Sequence, residues 1–371
     1  MQRYTRSIAE IWHHWEAHAR QALHPMAFTR FDDHQRVFAK LTSLDREQWA
    51  AAYSEAARPF EREARAAEAR GDLAAAGPLY LHAYGLYRMA RYPAPNSPGE
   101  LAAYRKSQEM YLLGARSFPF SVERVEMPFR GRAGEGTHAV GYLMRPKEAG
   151  RLPLVIAWGG IDSFKEDRSE VARPLIAAGL SVLLIDMPGT GDAPLAGSTD
   201  AERLWDSVLD WCAMRSEIDA QRIAVWGGST GGYWAAKIAH THRERLAAAV
   251  CHGGCAHYAF TPDWIEKAQH GSYMFELAET LACAFGGESF EYWLDHSPAL
   301  SLLKQGVLDR PCAPLLLVNG IEDSIFPIED MYLLLQHGDI KAARFYPTGH
   351  MGYTPETMPT IVRWLAERLR A

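Results

Sequence analysis

Ile223-Ala224-Val225-Trp226-Gly227-Gly228-Ser229-Thr230-Gly231-Gly232-Tyr233-Trp234 is the stretch whose reading decides the fold. An apolar run passes into G-x-S-x-G and then, without spacer, into residues suited to a helix. This pattern predicts a strand, a sharp turn and a helix, the nucleophile elbow. Gly227 and Gly231 must lack bulk for so tight a turn. Ser229 is then held at its tip, hydroxyl exposed, at a helix N-terminus where the dipole favours developing negative charge. The pentapeptide alone is common by chance, and the flanking strand and helix give it weight.

Outward from the elbow, short apolar runs alternate with helical segments: Pro153–Trp158, Leu180–Ile185, Arg222–Trp226, Ala247–Cys251, Pro314–Val318 and Ala343–Tyr346. Such runs suit strands buried on both faces, so a mainly parallel sheet flanked by helices is expected over residues 119–371. Ahead of them VERVEMPF and HAVGYLMRP alternate like two antiparallel strands around a turn at Gly131–Gly136. Ligands of such sheets bind beyond the carboxyl ends of the strands, which directs attention to the loops there.

A nucleophilic serine needs a base, and the base needs an acid to orient it, in the order Ser, Asp, His. Leu315–Val318 runs into Asn319-Gly320-Ile321-Glu322-Asp323, and Asp323 is the preferred acid. Its competitors are Glu322, whose neighbouring position turns it away, and Asp330, which falls in the next helix. Ala343–Tyr346 leads through Pro347-Thr348-Gly349 to His350. Among the 15 histidines it has the expected place after the last strand. His252 follows an earlier strand and His337 falls in a helical segment.

A tetrahedral intermediate also needs backbone N–H donors. Thr230, next to the nucleophile, supplies one, and the Gly159-Gly160-Ile161 loop after Leu154–Trp158 supplies the other through Gly160 or Ile161. A plain strand-to-helix turn is the alternative for these glycines. Phe164-Lys165-Glu166-Asp167 either braces the loop by ion pairs or begins a solvated helix. Asp186-Met187-Pro188-Gly189-Thr190-Gly191 lacks the lysine and spacing of a phosphate loop and reads as a shaping loop.

Residues 1–118 carry a different period. Ile8, Ile11, Trp12 and Trp15, then Tyr80, Tyr84 and Tyr87, recur at three- and four-residue spacing, which predicts an all-helical domain. Helix breaks are expected at His24-Pro25, at Ser43–Asp45, at Gly71-Asp72 and from Pro93 to Pro98. The tyrosine stripe, with Tyr104 and Tyr111, reads first as core packing, and Tyr84 as a candidate for lining a substrate pocket. His14 and His18 lie four apart, as metal ligands do, but lack further ligands in the sequence.

Composition narrows the function. The 371 residues are 48% hydrophobic and 23% charged, with a formal net charge of −6. That suits a globular chain and carries no basic footprint for nucleic acid or anionic lipid. A small neutral or hydrophobic molecule is the expected partner. The five cysteines show no metal spacing and suit a reducing compartment. The first twenty residues lack a signal-peptide core, and no run of apolar residues spans a bilayer. A cytoplasmic protein without metal or cofactor, neither membrane-bound nor nucleic-acid-binding, is expected.

VIAWGGIDSFKED, IDMPGTGDAP, WGGSTGGYWA, NGIEDSIFP and PTGHMG, in that order, together with AGPLYLHAYGLYRMARYP earlier, resemble a known group. These are α/β hydrolases with an N-terminal helical domain, similar to dihydroxypseudooxynicotine hydrolase, fungal polyketide-shortening hydrolases and the fermentation-respiration switch protein. The resemblance implies an α/β-hydrolase fold with a helical lid over residues 1–118, a homodimer, and serine chemistry on an ester or on a ketone whose neighbouring carbon–carbon bond breaks. Members of the group also use an acid in the loop after the strand that follows the elbow helix. Here that loop, Cys251 to Glu266, offers no acid directly after the strand, only Asp263 or Glu266 further on. Tyr258, Trp264 and Asp263 are the candidates there for touching substrate. A carboxylesterase, a peptidase, and a non-catalytic binding or regulatory protein on the same fold are the competing readings.

Overall fold

The computed structural model describes residues 6–339 and 341–370, and the chain falls into two compact units, Met1–Val122 and Glu123–Ala371. Most helices of the first unit start where short polar side chains can take up the backbone N–H groups a helix leaves unpaired. Ser7 caps α1 (Ile8–Gln21) in a reciprocal box with Glu10. After α2 (Phe31–Phe38), Asp45 caps α3 (Arg46–Ala69) by accepting from the Gln48 N–H, and Asp72 caps α4 (Leu73–Ala90). Ser97 and Glu100 form the box of α5 (Pro98–Ala115), with Pro98 at the first helical position.

The tyrosine stripe packs inside this unit. Tyr84 has no exposed surface, and its ring lies 5.8 Å from Phe28 and 5.3 Å from Tyr111. Tyr80 and Tyr87 bury their rings and hand their hydroxyls to α3, to Glu68 at 2.5 Å and Glu61 at 2.7 Å. A buried aromatic with a polar tip needs such a partner.

The second unit is built on one eight-stranded sheet in the order β1-β2-β4-β3-β5-β6-β7-β8. Its strands are β1 (Ser121–Pro128), β2 (His138–Arg145), β3 (Leu152–Trp158), β4 (Ser181–Ile185), β5 (Ile218–Gly228), β6 (Ala248–His252), β7 (Leu315–Gly320) and β8 (Lys341–Tyr346). β2 runs antiparallel to β4, and β3 to β8 pair in parallel. Each apolar run of the sequence forms one of these strands. The intervening helices are α6 (Ser169–Ala177), α7 (Arg203–Ala213), α8 (Thr230–Thr241), α9 (Pro262–Ala268), α10 (Leu277–Ala284), α11 (Phe290–His296) and α12 (Ile328–Leu335), and α13 (Thr357–Arg370) closes the chain.

Central strands need side chains that are apolar on both faces, and Leu154 to Trp158 and Ala224 to Trp226 are all fully buried. Truncating one such residue, as in Ile156→Ala, costs roughly 2–5 kcal/mol. This rigid layer is what places the loops at the carboxyl ends of β3, β5, β6, β7 and β8. No helix among the described residues is long and apolar enough to cross a membrane.

Candidate active site

Strand β5 ends at Gly228 and α8 begins at Thr230, leaving Ser229 as the whole of the turn. Its φ of 54° and ψ of −131° lie where non-glycine residues pay strain, which the surroundings must hold in place. They do so by exclusion. A Cβ on Gly227 would collide with the Gly231 carbonyl, and one on Gly231 with the Gly159 carbonyl. The Ser229 N–H donates to the His252 carbonyl at 2.8 Å.

Three side chains from three strand ends then meet. His350 Nε2 lies 2.8 Å from Ser229 Oγ, and Nδ1 lies 2.8 Å from Asp323 Oδ2. A carboxylate only accepts, so Nδ1 carries the proton and Nε2 presents its lone pair to the serine hydroxyl. The Asp323 side chain has no exposed surface. It also accepts from Asn319 Nδ2 at 2.9 Å and from the N–H groups of Ile325 and Phe326 at 2.8 and 3.1 Å. Asn319 spans the two loops, because its Oδ1 accepts the Met351 N–H at 3.0 Å. The sequence reading used Asn319 only as a strand end.

The competing acids go elsewhere. Glu322 is exposed. Asp330, fully buried on α12, accepts from the N–H groups of His257, Tyr258 and Ala259 at 2.8, 2.7 and 3.2 Å. Burial pushes its pKa above the usual carboxylate value, and those N–H groups pull the other way. Its work is to pin the loop after β6.

Gly160 lies in the loop after β3 within van der Waals reach of the elbow. A Cβ there would be 3.3 Å from the Thr230 nitrogen. Thr230 opens α8, so its N–H is one of those a helix leaves unpaired. Ile161 is buried beside it in sequence.

The segment after this loop is a buried charge cluster. Lys165 is fully buried, and its Nζ lies 3.0 Å from Glu166, 2.9 Å from Asp186 and 2.6 Å from Asp192. The Lys165 N–H donates to Asp186 Oδ1 at 2.8 Å, and the Tyr142 hydroxyl to Glu166 at 2.8 Å. Burial raises the Asp186 pKa to about 6 against the pull of Lys165. The ion-pair alternative for this segment is therefore the one realised, and it ties the loop after β3 to the loop after β4.

The residues considered for substrate contact are less gathered. Trp264 Nε1 donates to the Ile325 carbonyl at 2.9 Å, which docks α9 on the loop that carries Asp323. Tyr258 and Asp263 are exposed, and Tyr84 belongs to the helical unit's aromatic packing. His14 is exposed, and His18 Nδ1 lies 3.1 Å from the His24 carbonyl. No group of three or more metal-type ligands occurs among the described residues.

A family model described as Esterase FrsA-like matches residues 35–370. Esterase FrsA of Enterobacter sp. (strain 638) is 27% identical over 308 residues, which cover 80% of this chain and 72% of that protein. Esterase FrsA of Shigella boydii serotype 18 is 28% identical over 302 residues, 79% of this chain and 70% of that one. Among solved structures, 2,6-dihydroxy-pseudo-oxynicotine hydrolase superposes with a TM-score of 0.73 at 21% identity, over 92% of this chain and 93% of that chain. Wild-type AbyA5 gives a TM-score of 0.72 at 21% identity, over 98% and 99%. An esterase of Pyrobaculum calidifontis gives 0.54 at 22% identity, over 72% and 91%. These superpositions show the α/β-hydrolase fold. With a family model spanning nearly the whole sequence, the chain belongs to the FrsA-like esterase family and is a serine hydrolase of the α/β class.

Proposed function

We propose that the protein hydrolyses carboxylic esters of small molecules, with Ser229 as nucleophile, His350 as general base and Asp323 as the orienting acid. The observation that carries this reading is the unbroken chain from Asp323 through His350 to Ser229, with both links at 2.8 Å. Ser229 Oγ attacks the ester carbonyl while His350 Nε2 takes its proton. The Thr230 N–H, with Gly160 or Ile161, receives the tetrahedral oxygen, each such donor contributing about 3–4 kcal/mol. His350 then returns the proton to the departing alcohol, leaving an acyl-serine. A water molecule, deprotonated by the same histidine, releases the acid and restores Ser229.

Ketone cleavage is the second reading, motivated by the family resemblance. It would need a leaving carbanion to be protonated, and the loop after β6 offers Gly253 and Gly254 where an acid would serve. Asp330, a buried carboxylate packed against that loop, is committed to backbone N–H groups. Both points favour the ester. We further propose Tyr258, Trp264 and Asp263 as candidates for substrate contact, a cytoplasmic location and a homodimer.

A panel of p-nitrophenyl esters tests the proposal. Ser229→Ala should lower kcat by about 10⁴-fold or more with the fold intact, and a fluorophosphonate should label the wild type at Ser229. Acid plus alcohol as products supports the ester reading. Acid plus a carbon-protonated fragment from a β-diketone, with no ester turnover, would replace it with ketone cleavage. Survival of activity in Ser229→Ala would overturn both.

A further inference from the structure

His252 ends β6, in register with Gly228 at the edge of the elbow. Its carbonyl accepts the Ser229 N–H at 2.8 Å. Its imidazole, 1% exposed, makes a different contact: Nε2 lies 2.7 Å from the carbonyl oxygen of Met351. A carbonyl cannot donate, so Nε2 holds the ring's proton.

Met351 is the residue after His350, and its backbone is left-handed, with φ 68°. A side chain with a Cβ holds that conformation only where its surroundings impose it. Two groups impose it here. Asn319 takes the Met351 N–H, and His252 donates to the Met351 carbonyl, so the residue beside the base is gripped at both ends. The Met351 sulfur in turn lies 3.0 Å from the Ser229 nitrogen.

The grip needs a neutral ring with a fixed tautomer. Burial is the main cause that drives the His252 pKa down to about 3; the Met351 carbonyl pulls it up, and the positive charge of Arg168 pushes it down. Arg168 lies on the face of Trp226, 5.6 Å from the ring, and the Trp226 and His252 rings are 6.1 Å apart. Tyr353 closes on the imidazole at 5.8 Å.

We propose that His252 is a positioning residue: its backbone holds the nucleophile's amide and its ring holds the residue beside the base, so that one residue sets the spacing of Ser229 and His350. The inference rests on the catalytic roles proposed above for those two residues. It has no contact with substrate to make. Its effect is expected in kcat, since a displacement of about 1 Å in a reacting group can cost about a hundredfold in rate.

His252→Gln and His252→Asn test it, because a glutamine amide nitrogen reaches the place of Nε2 and an asparagine amide stops near Nδ1. With p-nitrophenyl butyrate as the probe, His252→Asn should lose about a hundredfold in kcat with KM changed by less than about twofold. His252→Gln should recover at least about tenfold of that loss. Both are compared at a temperature where circular dichroism shows them folded, and His252→Phe, which fills the volume without a donor, stands in should the asparagine variant not fold. Fluorophosphonate labelling of Ser229 should slow in parallel with kcat. Equal losses in the glutamine and asparagine variants, or a folded donor-less variant with wild-type kcat, would overturn the proposal. If Ser229→Ala is inactive while His252→Asn is fully active, only this inference fails. If Ser229→Ala is active, the triad assignment fails first.

Discussion

Gly160 is packed so closely on Ser229 that a Cβ at position 160 would lie 2.8 Å from the serine Cβ and 3.1 Å from its Oγ. The loop after β3 and the elbow after β5 therefore fit only because one of them lacks a side chain. Gly160→Ala must displace either Ser229 or the loop proposed for the oxyanion. A fall in kcat/KM of about tenfold to a hundredfold is expected, with little change in the thermal midpoint, as read by ester kinetics alongside a thermal melt.

Asp323→Asn tests the choice of acid. The amide would turn two hydrogens toward a site in which His350, Asn319 and two backbone N–H groups all donate. The histidine loses its tautomer, and kcat should drop by about 10³–10⁴-fold. Exposed Glu322→Gln should remain within about twofold of wild type in the same assay.

Asp330→Asn should act on stability instead. Three backbone donors converge on that buried carboxylate, and hydrogen bonds to charged groups contribute about 1.5–3 kcal/mol each in favourable settings. A loss of about 1–3 kcal/mol in unfolding free energy is expected, measurable by urea denaturation. An unchanged midpoint would show that the loop after β6 does not depend on this anchor.

Lys165→Met removes a cation that contacts Glu166, Asp186 and Asp192 together. Stranding buried charge in this way costs about 3–5 kcal/mol. The sign with pH follows from Asp186. Its folded pKa, about 6, exceeds the ordinary 3.8, so the folded state binds the proton more tightly, and stability falls as pH rises from 3.8 through 6. Without Lys165 the folded pKa rises further. The variant's loss in thermal midpoint should therefore be larger at about pH 8 than at about pH 5.

The helical unit has an acid-sensitive group of opposite sign. His34, held between Thr29 Oγ1 at 2.6 Å and the Tyr53 hydroxyl at 3.1 Å, has its pKa lowered by burial from 6.5 to about 4. The folded state then binds fewer protons than the unfolded one between those values, so stability is lost as pH falls from 6.5 through 4. His34→Gln should flatten that part of the stability curve by up to about 1.4 kcal/mol per pH unit, as followed by denaturant titrations at several pH values.

The sheet was legible because fully buried strands leave little choice of side chain, and Leu154–Trp158 or Leu315–Val318 could hardly be read otherwise. Strand starts were less so. β5 begins at Ile218, four residues ahead of the run at Arg222, since Asp219 and Gln221 interrupt the apolar pattern where the strand is still partly exposed. Ser229, Asp323 and His350 stand out by order and by position after strands. Lys165 does not, because a Lys-Glu-Asp triplet looks solvated in one dimension, and two of its partners, Asp186 and Asp192, arrive from another loop. His252 was set aside as a base for being out of order. Its ring contact, to a carbonyl 99 residues away, leaves no mark in local sequence. The tyrosine stripe had the helical period of core packing and proved to be packed against α3, Phe28 and Tyr111.

Asp330 holds its neighbours by their main chain alone. Peptide N–H groups are the same whatever side chain they carry, proline alone lacking one, so His257, Tyr258 and Ala259 can be exchanged for residues other than proline without removing the donors that the carboxylate holds. The path of this loop and the chemistry it displays are thereby separately heritable, and a lineage of such enzymes can try new surfaces at this rim while the course of the backbone beneath them stays as it is.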